Sequence, residues 1–197
     1  ACNAEVFEEE IFVYCPNPAC PAQLRERLAH FASRSAMEID GLGESLVDLI
    51  VTNLDVRTPD AFYRLDVDAL AKLPRMGKKS AENVIKGIEG SKRRGLAKVL
   101  VSLAVRHLGE TMSDAIASHF GSMDALLAVA ERYVAGDPAA VAMFAPEKST
   151  ERGVIEGLGK KSADVIFRQL TSPEMRAVIA GLAAAGVEMT AAQKVVR

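Results

Sequence analysis

Two lysine pairs, Lys78-Lys79 and Lys160-Lys161, each stand directly after a glycine and open an amphipathic run. A helix that begins there has first-turn N–H groups with no intrahelical partner, at the positive end of its dipole. Cations at that end oppose the dipole and are poor choices for helix stability alone. They suit a site that receives an anion, and phosphate is the anion such helix starts commonly hold. A second reactive group lies at the other end of the chain. Cys2, Cys15 and Cys20 are its three cysteines, all within the first 20 residues. An odd, clustered set argues for metal rather than for a disulfide framework. Cys15 and Cys20 form a Cys-x4-Cys knuckle, and Cys2 lies upstream of it. Structural zinc takes four ligands, usually in two close pairs. One pair is complete here and the other has one member. The expectation is a fourth Cys just before Ala1, the sequence being an excised piece. The intact protein then binds zinc, and this piece binds it weakly or not at all. His30 does not substitute, because it falls in a helical stretch.

The lysine pairs belong to a repeat. Ile39-Asp40-Gly41-Leu42-Gly43, Leu73-Pro74-Arg75-Met76-Gly77, Val105-Arg106-His107-Leu108-Gly109 and Ile155-Glu156-Gly157-Leu158-Gly159 share one pattern. Each reads apolar, any residue, Gly or polar, apolar, Gly. The closing glycines, Gly43, Gly77, Gly109 and Gly159, are 34, 32 and 50 residues apart. Helical spacing surrounds the pattern, as in Val67, Leu70 and Leu73 before the second turn and Ala81, Val84, Ile85 and Ile88 after it. Two helices joined by a tight turn make a helix-hairpin-helix. A Gly in the turn supplies a backbone conformation with φ > 0 that other residues avoid. The central apolar residues, Leu42, Met76, Leu108 and Leu158, point inward and pin each pair of helices. Candidate anion-binding residues are therefore Gly41 and Gly43 in the first turn and Arg75, Gly77, Lys78 and Lys79 in the second. Arg106, His107 and Gly109 follow in the third, and Gly157, Gly159, Lys160 and Lys161 in the fourth. Glu44 and Glu110 open the helices after the first and third turns, so those two look more like framework.

These turns must be positioned by an all-α fold. The expected architecture is a tandem helix-hairpin-helix domain with a small Cys-rich β-ribbon, a zinc-finger remnant, at the N-terminus. With 49% hydrophobic residues, 5% aromatics and no Trp, the core is filled by Ala, Leu, Val and Ile, which suits helices. Residues 1–22 are read as the truncated zinc module, with a ribbon over Val6–Tyr14, and 23–38 as a connecting helix. Residues 39–190 form the hairpin domain, with hairpins near 39–50, 67–88, 96–118 and 150–170. Residues 191–197 begin a linker to a further domain. Thr58 caps a helix with Pro59 at its first position. Met123–Tyr133 and Pro173–Ala185 are further helices. The longer third interval falls on Ala135–Thr150, read as a loop with one helical turn at Ala139–Phe144 that orders weakly or contacts a partner. Ser91–Gly95 is a basic link, either a solvated turn or a second phosphate contact.

Net charge is −2, which counts mildly against DNA binding driven by bulk charge and leaves room for binding through local basic clusters. No apolar run approaches the roughly 18 residues of a membrane span. No signal-peptide pattern opens the chain. The expectation is a cytoplasmic protein with no membrane partner. Scattered carboxylates and the lack of a His–Cys or His–Ser arrangement disfavour a stand-alone enzyme.

Cys20-Pro21-Ala22-Gln23-Leu24, His30-Phe31-Ala32-Ser33-Arg34, Ala36-Met37 and Ile39–Gly43 together resemble bacterial NAD-dependent DNA ligases. Lys79–Asn83, Ser91-Lys92, Arg106–Glu110 and His119-Phe120-Gly121 extend the likeness over nearly the whole chain. The first block is highly specific; hairpins alone are shared by many repair proteins. The resemblance implies a four-Cys zinc module followed by four hairpins, in the C-terminal part of an enzyme that seals nicks in duplex DNA. It implies that NAD and Mg²⁺ are bound by parts not present, since the adenylated Lys-x-Asp-Gly motif is absent. It also implies nicked double-stranded DNA and the ligase's other domains as partners, with the hairpins gripping the minor groove. This segment alone is then inactive. Two departures stand out: the long Ala135–Thr150 segment, and Arg75 and His107 in place of the first turn Gly. A hairpin module of another repair or recombination protein would share the turns but not the first block. A protein-binding helical scaffold would show no salt-dependent DNA affinity.

Overall fold

The computed structural model describes residues 2–5, 7–9, 12–15, 17, 20–144 and 154–191. It is helical behind a two-stranded ribbon, in which β1 (Phe7–Glu9) pairs antiparallel with β2 (Phe12–Tyr14). The expected ribbon and all-α class are both present. Helix α1 (Pro21–Ala32) follows, then α2 (Glu44–Asn53). A 3-10 helix at Pro59–Arg64 leads into α3 (Val67–Ala71) and α4 (Lys78–Ser91). Next come α5 (Leu96–Ser102), α6 (Glu110–Phe120) and α7 (Met123–Val134). The order ends with α8 (Pro138–Phe144), α9 (Lys160–Leu170) and α10 (Pro173–Ala184).

Four helices start on capping side chains. Asp66, Ser122 and Ser172 each accept a hydrogen bond from the backbone N–H three residues on, at 2.7, 3.2 and 3.3 Å, and Asp137 accepts from Ala139 and Ala140 at the start of α8, at 2.9 and 3.2 Å. Such caps satisfy N–H groups that would otherwise lack partners. Thr58 behaves differently: its side chain makes no cap bond, and the helix after it is 3-10 rather than α.

The connecting helix expected over 23–38 is shorter and has another role. It ends at Ala32 and packs against α2 and α5, so it is the first helix of the first hairpin. His30 lies in it, its Nε2 2.9 Å from the Val101 carbonyl oxygen. The segment expected as a weakly ordered loop also differs. Its helical turn is real, and Phe144 at the end of α8 is 1% exposed. The Phe144 ring packs on Tyr133 and Phe167, with centroids 5.8 and 5.0 Å away. Helix α8 therefore belongs to the core of the fourth hairpin unit. Residues 145–150 lie outside the described residues.

One continuous apolar core runs from α1 to Val187. The segment after α10 ties the units together. Glu188 N–H donates to the Lys92 carbonyl, Leu96 N–H to that of Thr190, and Met123 N–H to that of Met189 (2.8–3.0 Å). Ala191 N–H reaches the Gly121 carbonyl at 2.8 Å, so the linker expected from 191 starts with an anchored residue; 192–197 lie outside the described residues.

The Tyr133 hydroxyl donates to Asp164 Oδ1 at 2.9 Å. Burial first, then this bond to an anionic acceptor, pushes its pKa up to about 12. An unfolded Tyr titrates near 10. The raised value favours the neutral phenol in the fold, so its contribution is complete below pH 10 and is lost as pH rises towards 12. Tyr133→Phe should cost about 1 kcal/mol at pH 7. Its thermal melts should also decline less steeply between pH 10 and 11 than those of the unsubstituted chain; an equal decline would refute the assignment.

Candidate nucleic-acid interface

The four repeats fold into one turn geometry. In each, the N–H of the central apolar residue donates to the carbonyl of the first: Leu42 to Ile39, Met76 to Leu73, Leu108 to Val105 and Leu158 to Ile155, at 3.0–3.1 Å. Leu42, Leu108 and Leu158 are buried, while Met76 is half-buried against the core. The left-handed residue is the one before them. Gly41 and Gly157 have φ +81°, Arg75 +63° and His107 +68°. The closing glycines do not supply φ > 0: Gly43, Gly77, Gly109 and Gly159 are extended, with φ between −77° and −88°. They instead cap the second helix without a side chain. Arg75 and His107 thus hold a conformation that costs a non-Gly residue about 1 kcal/mol or more. The turn bond and two flanking helices over-determine it.

The bare glycine caps of the turns contrast with the Asp and Ser caps of α3, α7, α8 and α10, although α1 and α5 also start without a capping side chain. At α2, α4, α6 and α9 no side chain takes a first-turn N–H. Gly43, Gly77, Gly109 and Gly159 are exposed, and so are Lys78, Lys79, Lys160 and Lys161. Among the described residues none of these lysines forms an ion pair. Other cations are consumed internally. Arg94 pairs with Glu38 at 2.8 Å, Lys92 with Glu89 at 2.8 Å, and Arg25 with Asp48.

The turns are assembled in pairs. The first turn rests on α4, where an added Cβ at Gly87 would lie 2.2 Å from the Asp40 carbonyl oxygen. Gly41 faces Val84 on the same helix. The third turn is tied to α9, because Arg106 N–H donates to Gln169 Oε1 at 3.0 Å. The fourth approaches α6, with Gly157 beside Met112. The Arg106 and His107 side chains are exposed. Glu110, the acid that weakened the third turn, is met by Lys98 Nζ at 3.3 Å. Lys98 belongs to α5, and no sequence pattern signals this pairing. Gly87 and Gln169 also escape a reading of the sequence; a glycine inside an amphipathic helix is the available cue for the first.

The three cysteines do converge. Their sulfurs lie within 4.8 Å of one another, with Cys2 and Cys15 at 3.4 Å. Cys20 is buried, and Cys15 and Cys2 are half-buried. Bonds from the Ala4 backbone, Cys15, Asn17 and Cys20 lower the Cys2 thiol to about 7. A compact set of three soft sulfurs, with Cys2 readily ionised and Cys15 held towards its thiol form, fits a structural zinc ion.

Comparison with known proteins places this arrangement. Residues 33–89, spanning the first two turns, match the family described as SAM-like helix-hairpin-helix tandem. The DNA ligase of Anoxybacillus flavithermus is 36% identical over 192 residues, which is 96% of this chain. The DNA ligase 2 of Deinococcus deserti is 37% identical over 196 residues, or 98% of the chain. Over nearly its whole length the chain is similar to one segment of these DNA ligases. It spans 26% of the length of each of these two relatives. The DNA ligase of Methylacidiphilum infernorum is 47% identical over 126 residues, covering 64% of the chain and 18% of the relative. No helix of the described residues is long and apolar enough to cross a membrane.

Proposed function

We propose that this chain is the non-catalytic duplex-DNA-binding part of an NAD-dependent DNA ligase that seals 3′-OH/5′-phosphate nicks. The observation that carries the reading is the set of four turns with one geometry. Each presents uncapped N–H groups at an exposed helix start, and two of them carry unpaired lysine pairs. Backbone N–H groups and lysines recognise phosphate without reading bases, as an enzyme acting at any nick requires. The second and fourth turns, with Gly77, Lys78, Lys79, Gly159, Lys160 and Lys161, are the principal grips. Gly41, Arg75, Arg106, His107 and Gly157 border them along the minor groove. NAD and Mg²⁺ act in other parts of the ligase, in the cytoplasm, with nicked DNA as the shared partner. Duplex binding followed by fluorescence anisotropy tests the reading: affinity should fall steeply between 50 and 200 mM salt. Salt-independent binding, or none, would refute it. A nick-sealing assay on the complete ligase, with NAD or ATP supplied, tests the parent activity.

Cys2, Cys15 and Cys20 would hold a zinc ion whose contribution is structural, fixing the ribbon as a folded unit. The apolar core packs the helices from α1 to α10 against one another. Zinc chelation should leave that packing in place and shift the main thermal transition by no more than about 2 °C, the scale of about 0.5–1 kcal/mol for a domain of this size. A collapse of helix on chelation would contradict this expectation. Alkylation of the cysteines should be slowed by added zinc, and serine at Cys15 should remove that protection.

A further inference from the structure

Helix α4 contains two glycines within four residues, and they have different surroundings. Gly87 is explained inside the molecule, since the Asp40 backbone occupies the space a Cβ would need. Gly90 is not: nothing lies within 4 Å of a Cβ built there. Its backbone is helical rather than left-handed, and it sits before the helix end, not at the left-handed position past it where Gly is favoured. A helical Gly weakens its helix relative to Ala. No neighbour in the fold requires it.

The residues around Gly90 supply the other half of the argument. At 100° per residue, Lys79, Asn83, Lys86 and Gly90 fall within about 40° of one line along the helix. Arg93, just past the helix end, continues that line. Lys79, Asn83, Lys86, Gly90 and Arg93 are all exposed. Among the described residues Lys79, Lys86 and Arg93 form no ion pair, although Lys92 and Arg94 beside them do. Asn83, Lys86 and Gly90 line one shallow depression of about 370 Å³ with Gly87, Asp40 of the first turn and the Glu38–Arg94 ion pair, which neutralises the second carboxylate there. The stripe and the first hairpin turn therefore share a face.

We propose that this face of α4 is a second DNA-backbone track, on which a sugar-phosphate strand runs from the second turn past Lys86, over Gly90, to Arg93. The proposal rests on the duplex-binding reading above and extends it from the turns to the length of a helix. Charge complementarity selects the occupant: three unpaired cations in line, spaced about 10 Å apart at 1.5 Å per residue, match a polyanion. Gly90 lets the strand approach the helix backbone, which a side chain would prevent. The first turn, which carries the Asp40 carboxylate and no cation, borders this track as its wall. The basic link Ser91–Gly95 becomes a divided element. Arg94 anchors the turn through Glu38, and Arg93 faces the strand.

The test uses the whole chain and a fluorescein-labelled nicked duplex, with anisotropy read across 50–200 mM salt. Lys86→Ala with Arg93→Ala should lower the slope of log K against log salt by about 1.8, at 0.9 for each phosphate no longer neutralised. Affinity should fall about tenfold. Gly90→Leu should weaken binding by a similar factor while melting no lower than the unsubstituted chain, because a Cβ there meets nothing within 4 Å and Leu is the better helix former. If both variants bind as tightly as the unsubstituted chain while glutamate at the four turn lysines removes binding, the track is wrong and the turn reading stands. If the unsubstituted chain shows no salt-dependent binding, both fall.

Discussion

Glutamate at Lys78, Lys79, Lys160 and Lys161 together abolishes duplex DNA binding and leaves the helices folded. The expectation follows from what these lysines do not do. They are exposed and, among the described residues, form no ion pair, so their removal breaks no internal salt bridge. Acidic residues at a helix start interact favourably with the dipole, by about 0.3–1 kcal/mol each. Stability should therefore hold or rise, and the circular dichroism melt should show it. Binding responds in the opposite direction. Each phosphate left without its cation lowers the salt slope by about 0.9, and reversal adds repulsion to the missing attraction. A combined weakening of about a thousandfold or more places the variant below detection at physiological salt. Native affinity in a variant that melts normally would rule out the turns as the DNA grip. The net charge of −2 sharpens the test, because no general excess of cations can compensate.

The second large effect separates two identical substitutions in one helix. Gly87→Ala places a Cβ 2.2 Å from the Asp40 carbonyl oxygen and 3.0 Å from the Asp40 backbone nitrogen and carbonyl carbon. No side-chain rotation relieves a clash between two backbones. The first hairpin turn must lift from α4, at a cost of about 1–3 kcal/mol or more. Gly90→Ala meets nothing and replaces a poor helix former with the best one, a gain of up to about 1 kcal/mol. For a domain of this size each kcal/mol moves the melting midpoint by about 2–4 °C. The two alanine variants should therefore melt on opposite sides of the unsubstituted chain. Equal shifts would mean that the first turn and α4 are not packed backbone to backbone. Gly87→Ala should also weaken DNA binding more than its lower stability suggests, because the turn it displaces borders the binding face.

Local chemistry is legible in the sequence wherever a short pattern dictates a local conformation. The four turns are identifiable because an apolar–x–x–apolar–Gly frame between two helical periods leaves few other conformations. Lys78-Lys79 and Lys160-Lys161 are identifiable as anomalies, since their charge opposes the helix end they occupy. The cysteine cluster follows from residue type and spacing. The position of the strain does not. Arg75 and His107 adopt φ +63° and +68°, while the closing glycines are extended. Sequence favours assigning left-handed backbone to glycine, but a turn fixed at both ends by packed helices imposes it on whatever residue stands there.

The sequence by itself determined the all-α class, the four hairpin turns and the candidates for meeting a phosphate. Tertiary structure decided which of them remain available. It paired Glu110 with Lys98, twelve residues away, and Arg94 with Glu38 across two hairpins. It drew Ala135–Phe144 out of an apparent loop by seating Phe144 between Tyr133 and Phe167. It also set the Asp40 backbone against Gly87 and left Gly90 open. The reason is physical: a pattern of apolar and polar residues records which face of an element is buried, but not what it is buried against. The group that fills the space above a glycine, or neutralises a charge, is brought there by the packing of the whole chain.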